Sequence, residues 1–348
     1  MPASNWLLTL TVGNLHGELI TPRLTHKDQM KKILGTLLTL FTLSALAWQP
    51  TKPVTVVFPN GPGAGNEISF RIVAKIVEEK NPSFKWNPEY KPGGDGNIGM
   101  NHFDKLPADG HYAAMPSCQS TFVTAEIWYA TSVKFNAMDW EGVANIGKAP
   151  LAFYARTTSN IDTPKKLIAE VQAGQRPITF AVGGAAHKLA VEYFVAGVKP
   201  AKDTVETSLY KGPAQAMADV LGQHQEFGVF PIAVGAPMVQ AGKLKLIGLA
   251  SEVPIAGLEK IPLMKDYVPG LNVYACWNLM LPKGTPQDVQ DWYHREFVSA
   301  IRSKEAKEQF DKHFIFISPN EHTPQGIRAA MTKLRQQWQP FARKIKPE

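Results

Sequence analysis

The sequence has little of what marks an enzyme. The esterase pattern G-x-S-x-G, the metalloprotease pattern H-E-x-x-H and the complete phosphate-loop pattern G-x-x-x-x-G-K-[ST] are absent from its 348 residues. A glycine-rich segment at 61–66 has its third glycine one position too early for a dinucleotide fingerprint. Glu67 and His187 could form an acid–base pair, but nothing there would activate a nucleophile. We therefore predict no enzyme activity and no cofactor, and a nucleotide-dependent enzyme is the less favoured alternative.

Cysteine is scarce, and the charge is only mildly unbalanced. Cys118 and Cys276 form either a disulfide, which export would allow, or two small buried side chains, which is the interpretation that the sequence favours. The formal net charge is +7, yet no block of Lys and Arg, no zinc-finger spacing and no aromatic–basic RNA signature occurs. We predict no metal site and no nucleic-acid partner. A mild positive charge instead suits anionic solutes.

The front of the chain has the layout of a secretion signal. A basic start at Met30 is followed by an apolar stretch, 33–46, that is too short for a permanent membrane helix, and by an A-x-A cleavage site ending at Ala47. We expect residues 1–47 to be leader plus signal peptide, with Met30 as the true start and cleavage after Ala47. A buried helix is the alternative interpretation.

Two glycine-rich turns each follow a short strand-like run. The apolar run 54–58 breaks into the turn 59–67, and a second turn occupies 91–99. A helix that begins directly after such a turn leaves backbone N–H groups unpaired, and these groups can hold an anion. The pattern predicts a site for a small anionic solute.

The rest of the chain alternates strands with helices. Strands are predicted at 152–155, 178–182, 227–230 and 244–250, and helices after Thr163-Pro164, over 188–194 and 214–221, and after Thr285-Pro286 and Thr323-Pro324. This alternation predicts an α/β fold with parallel sheets and helices on both faces. Ligands bind at the carboxyl ends of such strands, where the sequence is expected to place segments 59–67, 117–121, 183–188 and 210–212.

Seven short motifs occur in the order found in one family of binding proteins. They are Pro59 to Glu67, Pro92 to Gly99 (P-G-A-G-G-N-I-G in the family), Ala108 to Tyr112, Gly183 to Ala190, Tyr210 to Gly212, Asp219 to Gly222, and Trp277 with Leu281 to Pro286. From about residue 52 to the C-terminus, the chain resembles the substrate-binding proteins of tripartite tricarboxylate transporters, the Bug family. Each motif alone is weak, and their shared order carries the resemblance.

The resemblance implies an α/β, two-domain type II periplasmic binding protein, or Venus flytrap, with two parallel-rich sheets flanked by helices. The chain would cross the hinge near 148 and near 270, so that domain 1 comprises 48–148 and 270–348 and domain 2 comprises 149–269. Such a protein is a periplasmic monomer that captures a small organic carboxylate (a di- or tricarboxylate or an aromatic acid) between its domains. It delivers the ligand to integral-membrane transporter subunits. A sensor component that presents its ligand to a signalling receptor stays open as an alternative.

The turns and the resemblance together predict the ligand-binding residues. They are Asn60, Gly61, Pro62, Gly63, Ala64, Gly65, Asn66, Ser117, Gln119, Ser120, Thr121, Gly183, Gly184, Ala185, His187, Tyr210 and Phe230. Ala64 and Glu67 replace a glycine and an aspartate of the family pattern. Phe230 stands where many members carry aspartate, which favours an apolar or aromatic ligand over an amino acid. Lys188 is expected to be solvated, and Trp277 is expected to pack at the hinge.

Overall fold

Nine strands form one mixed sheet in the computed structural model, which describes residues 48–318 and 322–345. The strands are β1 (Val54–Phe58), β2 (Trp86–Tyr90), β3 (Tyr112–Ala114), β4 (Glu141–Arg156), β5 (Ile178–Val182), β6 (Val205–Leu209), β7 (Phe227–Pro231), β8 (Leu244–Ala250) and β9 (Tyr274–Leu281). Their order is β2-β1-β3-β9-β4-β7-β5-β6, and β8 pairs with β4 beside this path. The predicted leader and signal peptide, 1–47, lie outside the described residues.

Ten α-helices accompany the sheet in the described part of the chain. They are α1 (Gly65–Lys80), α2 (Asn97–Phe103), α3 (Ala125–Trp128), α4 (Pro164–Ala173), α5 (Ala185–Val198), α6 (Pro213–Leu221), α7 (Ile232–Gln240), α8 (Gln287–Ile301), α9 (Lys304–Lys312) and α10 (Pro324–Ala342). A π-helix, Gln119–Thr124, precedes α3. Within these ranges, no helix is both long and apolar enough to cross a membrane.

Side-chain caps explain where several helices begin and end. The Thr163 hydroxyl accepts a hydrogen bond from the Lys166 amide, and Gly174 closes α4 in the left-handed conformation, as the sequence predicts. Thr323 caps α10 in the same way. Thr285 differs, because its hydroxyl donates backwards to the Pro282 carbonyl and α8 begins only at Gln287.

Strand β4 joins two parallel sets of strands that run in opposite directions. β1, β2 and β3 pair in parallel, as do β5, β6 and β7. β9 is antiparallel to both β3 and β4, so the first set runs along β4, whereas β7 is antiparallel to β4, so the second set runs against it. β4 pairs with β9 up to Pro150 and with β7 from Leu151. The carboxyl ends of both sets therefore point towards the middle of β4.

The sequence predicts only a short part of β4 but gives the correct bounds of β5 and β8. The predicted strand at 152–155 covers only four of the last five residues of a 16-residue strand that begins at Glu141. The predicted strands 178–182 and 244–250 are observed with those bounds. The chain passes from one strand set to the other inside β4, next to the predicted crossing near 148, and the domain boundaries themselves stay a prediction.

The two cysteines are bonded, which corrects the expectation of two free side chains. Cys118 follows β3 and Cys276 lies in β9, with 5.4 Å between their Cα atoms. β3 and β9 are neighbours in the sheet, and a further bridge pairs Ser117 with Trp277. Sequence spacing hides this proximity, because the pairing that creates it is antiparallel and long-range. The disulfide holds the segment after β3 against β9.

Replacing both cysteines, Cys118→Ala with Cys276→Ala, should lower the free energy of unfolding by about 3–5 kcal/mol, because the bridge closes a loop of 158 residues in the unfolded chain. Denaturant titration with tryptophan fluorescence measures the change. A reductant should move the wild-type midpoint towards that of the double variant and leave the variant unchanged. Equal midpoints for the oxidised wild type and the variant would contradict a stabilising bridge.

Candidate functional site

The turn after β1 presents the first wall of the site. The Glu67 carboxylate accepts hydrogen bonds from the Gly63 amide (2.6 Å) and the Tyr90 hydroxyl (2.6 Å), and it pairs with Arg71. Burial raises the pKa of Glu67, but these three partners outweigh it, so the net pKa is lowered and the carboxylate stays ionised. Glu67 therefore holds the turn through the Gly63 amide.

The first two amides of α1 have no hydrogen-bond partner among the described residues. They belong to Gly65 and Asn66, while the next amides bond to the Ala64 carbonyl. The Asn66 side chain donates to the Met115 carbonyl (2.9 Å) and the Asn60 side-chain oxygen (3.3 Å), which fixes the turn against the end of β3. Position 65 requires glycine, because a Cβ there would collide with the Trp277 ring. This wall offers donors to an anion.

The start of α5 forms the opposite wall. The Gly183 amide donates to His187 Nδ1 (3.0 Å), so this ring nitrogen is an acceptor. Burial lowers the pKa of His187 to about 3, which keeps the ring neutral. A Cβ at Gly183 would collide with the backbone of Pro213, so the starts of α5 and α6 lie side by side. The Ala186 amide has no partner in the described part of the chain.

Asp95 bridges the two walls. Its Oδ1 accepts hydrogen bonds from the Ser120 hydroxyl and the Ala185 amide, each 3.0 Å long. Ser120 belongs to the π-helix after β3, whereas Ala185 is the first residue of α5 in the other half of the sheet. The Asp95 carboxylate therefore already accepts the hydrogen bond of one helix-start amide, that of Ala185.

Three adjoining cavities lie between these walls. The innermost holds about 40 Å³, room for a few water molecules, and is lined by both walls together with Trp277. Two others, of about 180 and 260 Å³, extend it towards β6 and α6. Asn60 lines all three cavities, and Asp95 lines the first two. The site is thus a narrow cleft at the carboxyl ends of both strand sets.

Most of the predicted site residues come together in this cleft. Those that line a cavity are Asn60, Gly61, Pro62, Ala64, Gly65, Asn66, Ser117, Gln119, Ser120, Gly183, Gly184, Ala185, His187 and Tyr210. Gly63 does not line them, because its amide turns back to Glu67. Thr121 is buried in the π-helix behind the wall.

Phe230 is not brought to the cleft. Its ring is fully buried and stacks on Tyr154 with 4.2 Å between ring centroids, while the next residue, Pro231, lines the cavity. Phe230 and Pro231 are consecutive residues of β7, so their side chains point to opposite faces of the sheet. The reason for disfavouring an amino acid, which depended on Phe230 facing the ligand, is therefore lost.

One further expectation needs correction. Lys188, in the first turn of α5, is only 6% exposed and therefore buried, not solvated. Trp277 is buried in the core and also lines the innermost cavity, and its place at the hinge stays a prediction. Glu67 and His187 share no hydrogen bond, so the structure forms no acid–base pair from them.

Sequence reasoning missed Asp95, Pro213 and Ala275 as lining residues, whereas Ala186 and Lys211 lie in the predicted segments 183–188 and 210–212 and do line the cleft. Asp95 left a signal, since it takes the fourth position of the P-G-A-G-G-N-I-G motif, where the family carries glycine. Ala275 left none, because only the pairing of β9 with β4 brings it there.

The electrostatics of the cleft favour a negatively charged or strongly polar guest. The helices α1, α5 and α6 all begin at its walls, and helix starts carry partial positive charge. Across the described ranges, no group of three His, Cys, Asp or Glu side chains could hold a metal ion. The arrangement is suited to binding by hydrogen bonds.

The family model described as "Tripartite tricarboxylate transporter family receptor" matches residues 88–333, more than half of the chain. Three solved structures share its fold. The periplasmic binding protein BugD has a TM-score of 0.78 at 23% identity, over 85% of this chain and 98% of its own. MatC from Rhodopseudomonas palustris with bound malate has a TM-score of 0.77 at 16% identity, over 84% of this chain and 100% of its own. R. palustris Rpa4515 with adipate has a TM-score of 0.80 at 19% identity, over 86% of this chain and 100% of its own.

These neighbours confirm the predicted fold class, the α/β type II periplasmic binding protein fold. The family match runs from residue 88, within β2, through most of α10 and includes both the Asp95 turn and the α5 wall. The order of its sequence motifs predicts this family, and the chain belongs to it: the tripartite tricarboxylate transporter receptor family.

Proposed function

We propose that the protein captures a small organic carboxylate in the cleft, without altering it, and hands it to a membrane transporter. The observation that carries the proposal is the meeting of three helix starts, α1, α5 and α6, around one set of cavities. Two structural neighbours that hold malate and adipate support a carboxylate as the ligand class.

The available donors are sufficient for useful affinity. A helix start contributes about 0.3–1 kcal/mol to an anion, and each charge-assisted hydrogen bond contributes about 1.5–3 kcal/mol. The free amides of Gly65, Asn66 and Ala186 would supply three such bonds. Together these contributions reach the roughly 8 kcal/mol of a micromolar complex.

The two predicted domains would close on the ligand. Domain 1 (48–148 and 270–348) carries the α1 wall, and domain 2 (149–269) carries the α5 and α6 wall. The innermost cavity is too small for an organic acid, so entry requires the walls to separate, with β4 and the return near 270 as the hinge. A ligand that touches both walls binds the closed form better and therefore shifts the population towards it.

The predicted export signal and the family match support a periplasmic location, where a closed monomer would dock on the transporter subunits. A sensor that shows the same closed form to a signalling receptor is the second candidate. It would use the same cleft, and deletion of this protein's own gene separates the two roles. Loss of uptake marks transport, whereas an unchanged uptake with a lost transcriptional response marks signalling.

Calorimetric titration and thermal shift with a panel of mono-, di-, tri- and aromatic carboxylates test the binding function. At about 100 times its Kd, a ligand should add roughly 2.7 kcal/mol to the free energy of unfolding and raise the melting temperature by several degrees. Matched amides and alcohols without a carboxylate serve as controls. A panel in which no organic acid changes the melting temperature would contradict the proposal.

Asn60→Asp should weaken carboxylate binding about 10- to 100-fold, because it places a second negative charge where all three cavities meet. The substitution keeps the side-chain shape and the oxygen that accepts from Asn66, so the fold should persist. Asn160→Asp is the matched control, since this exposed residue follows the other end of β4. Equal losses in both variants would show a general charge effect.

The exported protein should begin at Trp48. The Trp48 ring packs on Tyr293 and Trp292, with centroids 5.8 and 5.5 Å away, so the chain is anchored from this residue onwards. Mass spectrometry and N-terminal sequencing of the periplasmic fraction measure the start. A mature protein that begins within residues 1–29 would contradict both the cleavage site and Met30 as the true start.

A further inference from the structure

Asp95 is held in a conformation that few residues adopt. Its backbone is left-handed, with φ at 53° and ψ at 34°, a region that Asp and Asn tolerate better than other non-glycine residues. The flanking Gly94 and Gly96 are also left-handed. The turn therefore directs the Asp95 carboxylate into the cleft, at the cost of an unfavourable backbone geometry.

The two carboxylate oxygens of Asp95 have different surroundings. Oδ1 accepts from the Ser120 hydroxyl and the Ala185 amide, whereas Oδ2 is shielded from solvent and has no hydrogen-bond partner in the described part of the chain. No cation of the described residues pairs with it. An unpaired, buried oxygen beside a ligand cavity is costly unless a donor reaches it.

Burial raises the pKa of Asp95 to about 7, against the opposing effect of the Ala185 and Ser120 hydrogen bonds. The other titratable or charged side chains on the same two cavities are His187, Tyr129, Tyr210 and Lys211. Burial holds the pKa of His187 at about 3, and burial with the charge of Asp95 raises the pKa of Tyr129 to about 12. Burial and the hydrogen bond to Asp219 raise the pKa of Tyr210.

We propose that Asp95 determines which carboxylates the cleft accepts: those whose second polar end donates hydrogen bonds, such as an amide, a hydroxyl or an ammonium group. The inference rests on the proposed function and narrows its ligand class. The carboxylate of the ligand binds the free amides at the start of α1. Its far end meets Oδ2 of Asp95, where a donor is satisfied and a second carboxylate is repelled.

The repulsion follows from the geometry. Asp95 already occupies the Ala185 amide, so a ligand carboxylate at this wall finds one helix-start donor fewer and a fixed negative charge instead. Two carboxylates that share one buried site cannot both stay ionised without a large cost. A fully ionised dicarboxylate therefore binds well only when Asp95 takes up a proton.

Succinate and its monoamide, succinamate, test this proposal, because they have almost the same shape and differ in one end group. Calorimetry on the wild type at about pH 8.5 should give an affinity for succinamate at least about tenfold higher than for succinate. Between about pH 8.5 and 6.5, protonation of Asp95 should raise succinate affinity by about one order of magnitude, because its pKa of about 7 lies within this range. Succinamate affinity should change less than about threefold, since its amide both donates and accepts.

Asp95→Asn and Asp95→Gly are the matched variants, and both residues tolerate the left-handed turn. In both, the preference for succinamate should vanish, and succinate binding should lose its pH dependence apart from the small part due to the ligand's own ionisation. Melting temperatures of the two variants verify that they fold. If Asp95→Asn does not fold, Asp95→Gly is used for the test.

The outcomes separate the inference from the proposed function. If the wild type binds succinate as tightly as succinamate at about pH 8.5, and the variants behave alike, Asp95 does not select the ligand, while carboxylate capture still stands. If neither probe nor any acid of the wider panel binds the wild type, the proposed function fails, and the role of Asp95 fails with it.

Discussion

The reversal of strand direction at β4 is the constraint on which the rest of the molecule depends. The first part of β4 pairs with β9 and its second part pairs with β7. The two parallel sets of strands attached to these partners run towards each other. In a parallel sheet, helices start where strands end. Two opposed sets therefore bring the starts of α1, α5 and α6 to one place, and no special sequence is needed beyond turns tight enough to let them approach.

Close packing at these helix starts depends on glycine, because there is no room for a side chain. Gly65 lies against the Trp277 ring, and Gly183 lies against the backbone of Pro213, so a Cβ at either position would disturb the packing within that wall. The disulfide from Cys118 to Cys276 stiffens the strand that supports Trp277. The result is a cleft whose donors are backbone amides held by a rigid frame, and such donors bind an anion without reorganising.

The sequence predicts what local chemistry decides. Helix α4 is set by the Thr163 cap and the Gly174 stop, and strands β5 and β8 by continuous apolar runs, so all three were predictable. The disulfide and the full length of β4 depend on antiparallel pairs distant in the chain, which no local pattern encodes. Phe230 shows the same limit, because a motif gives its position along the strand but not the face that its ring occupies.

Asp95 illustrates how a departure from a glycine motif changes the chemistry of a site. A glycine there would leave the Ala185 amide free, so the α5 wall would present its full set of donors to a second ligand carboxylate. The Asp95 side chain instead accepts the hydrogen bond of the Ala185 amide through Oδ1. Its other oxygen, Oδ2, has no partner in the described part of the chain. The α5 wall thereby loses one donor and gains a hydrogen-bond acceptor, while its Ala186 amide stays without a partner in the described part of the chain. A cleft built on opposed helix starts can thus change its ligand class through a single side chain, because the backbone that supplies the donors need not move.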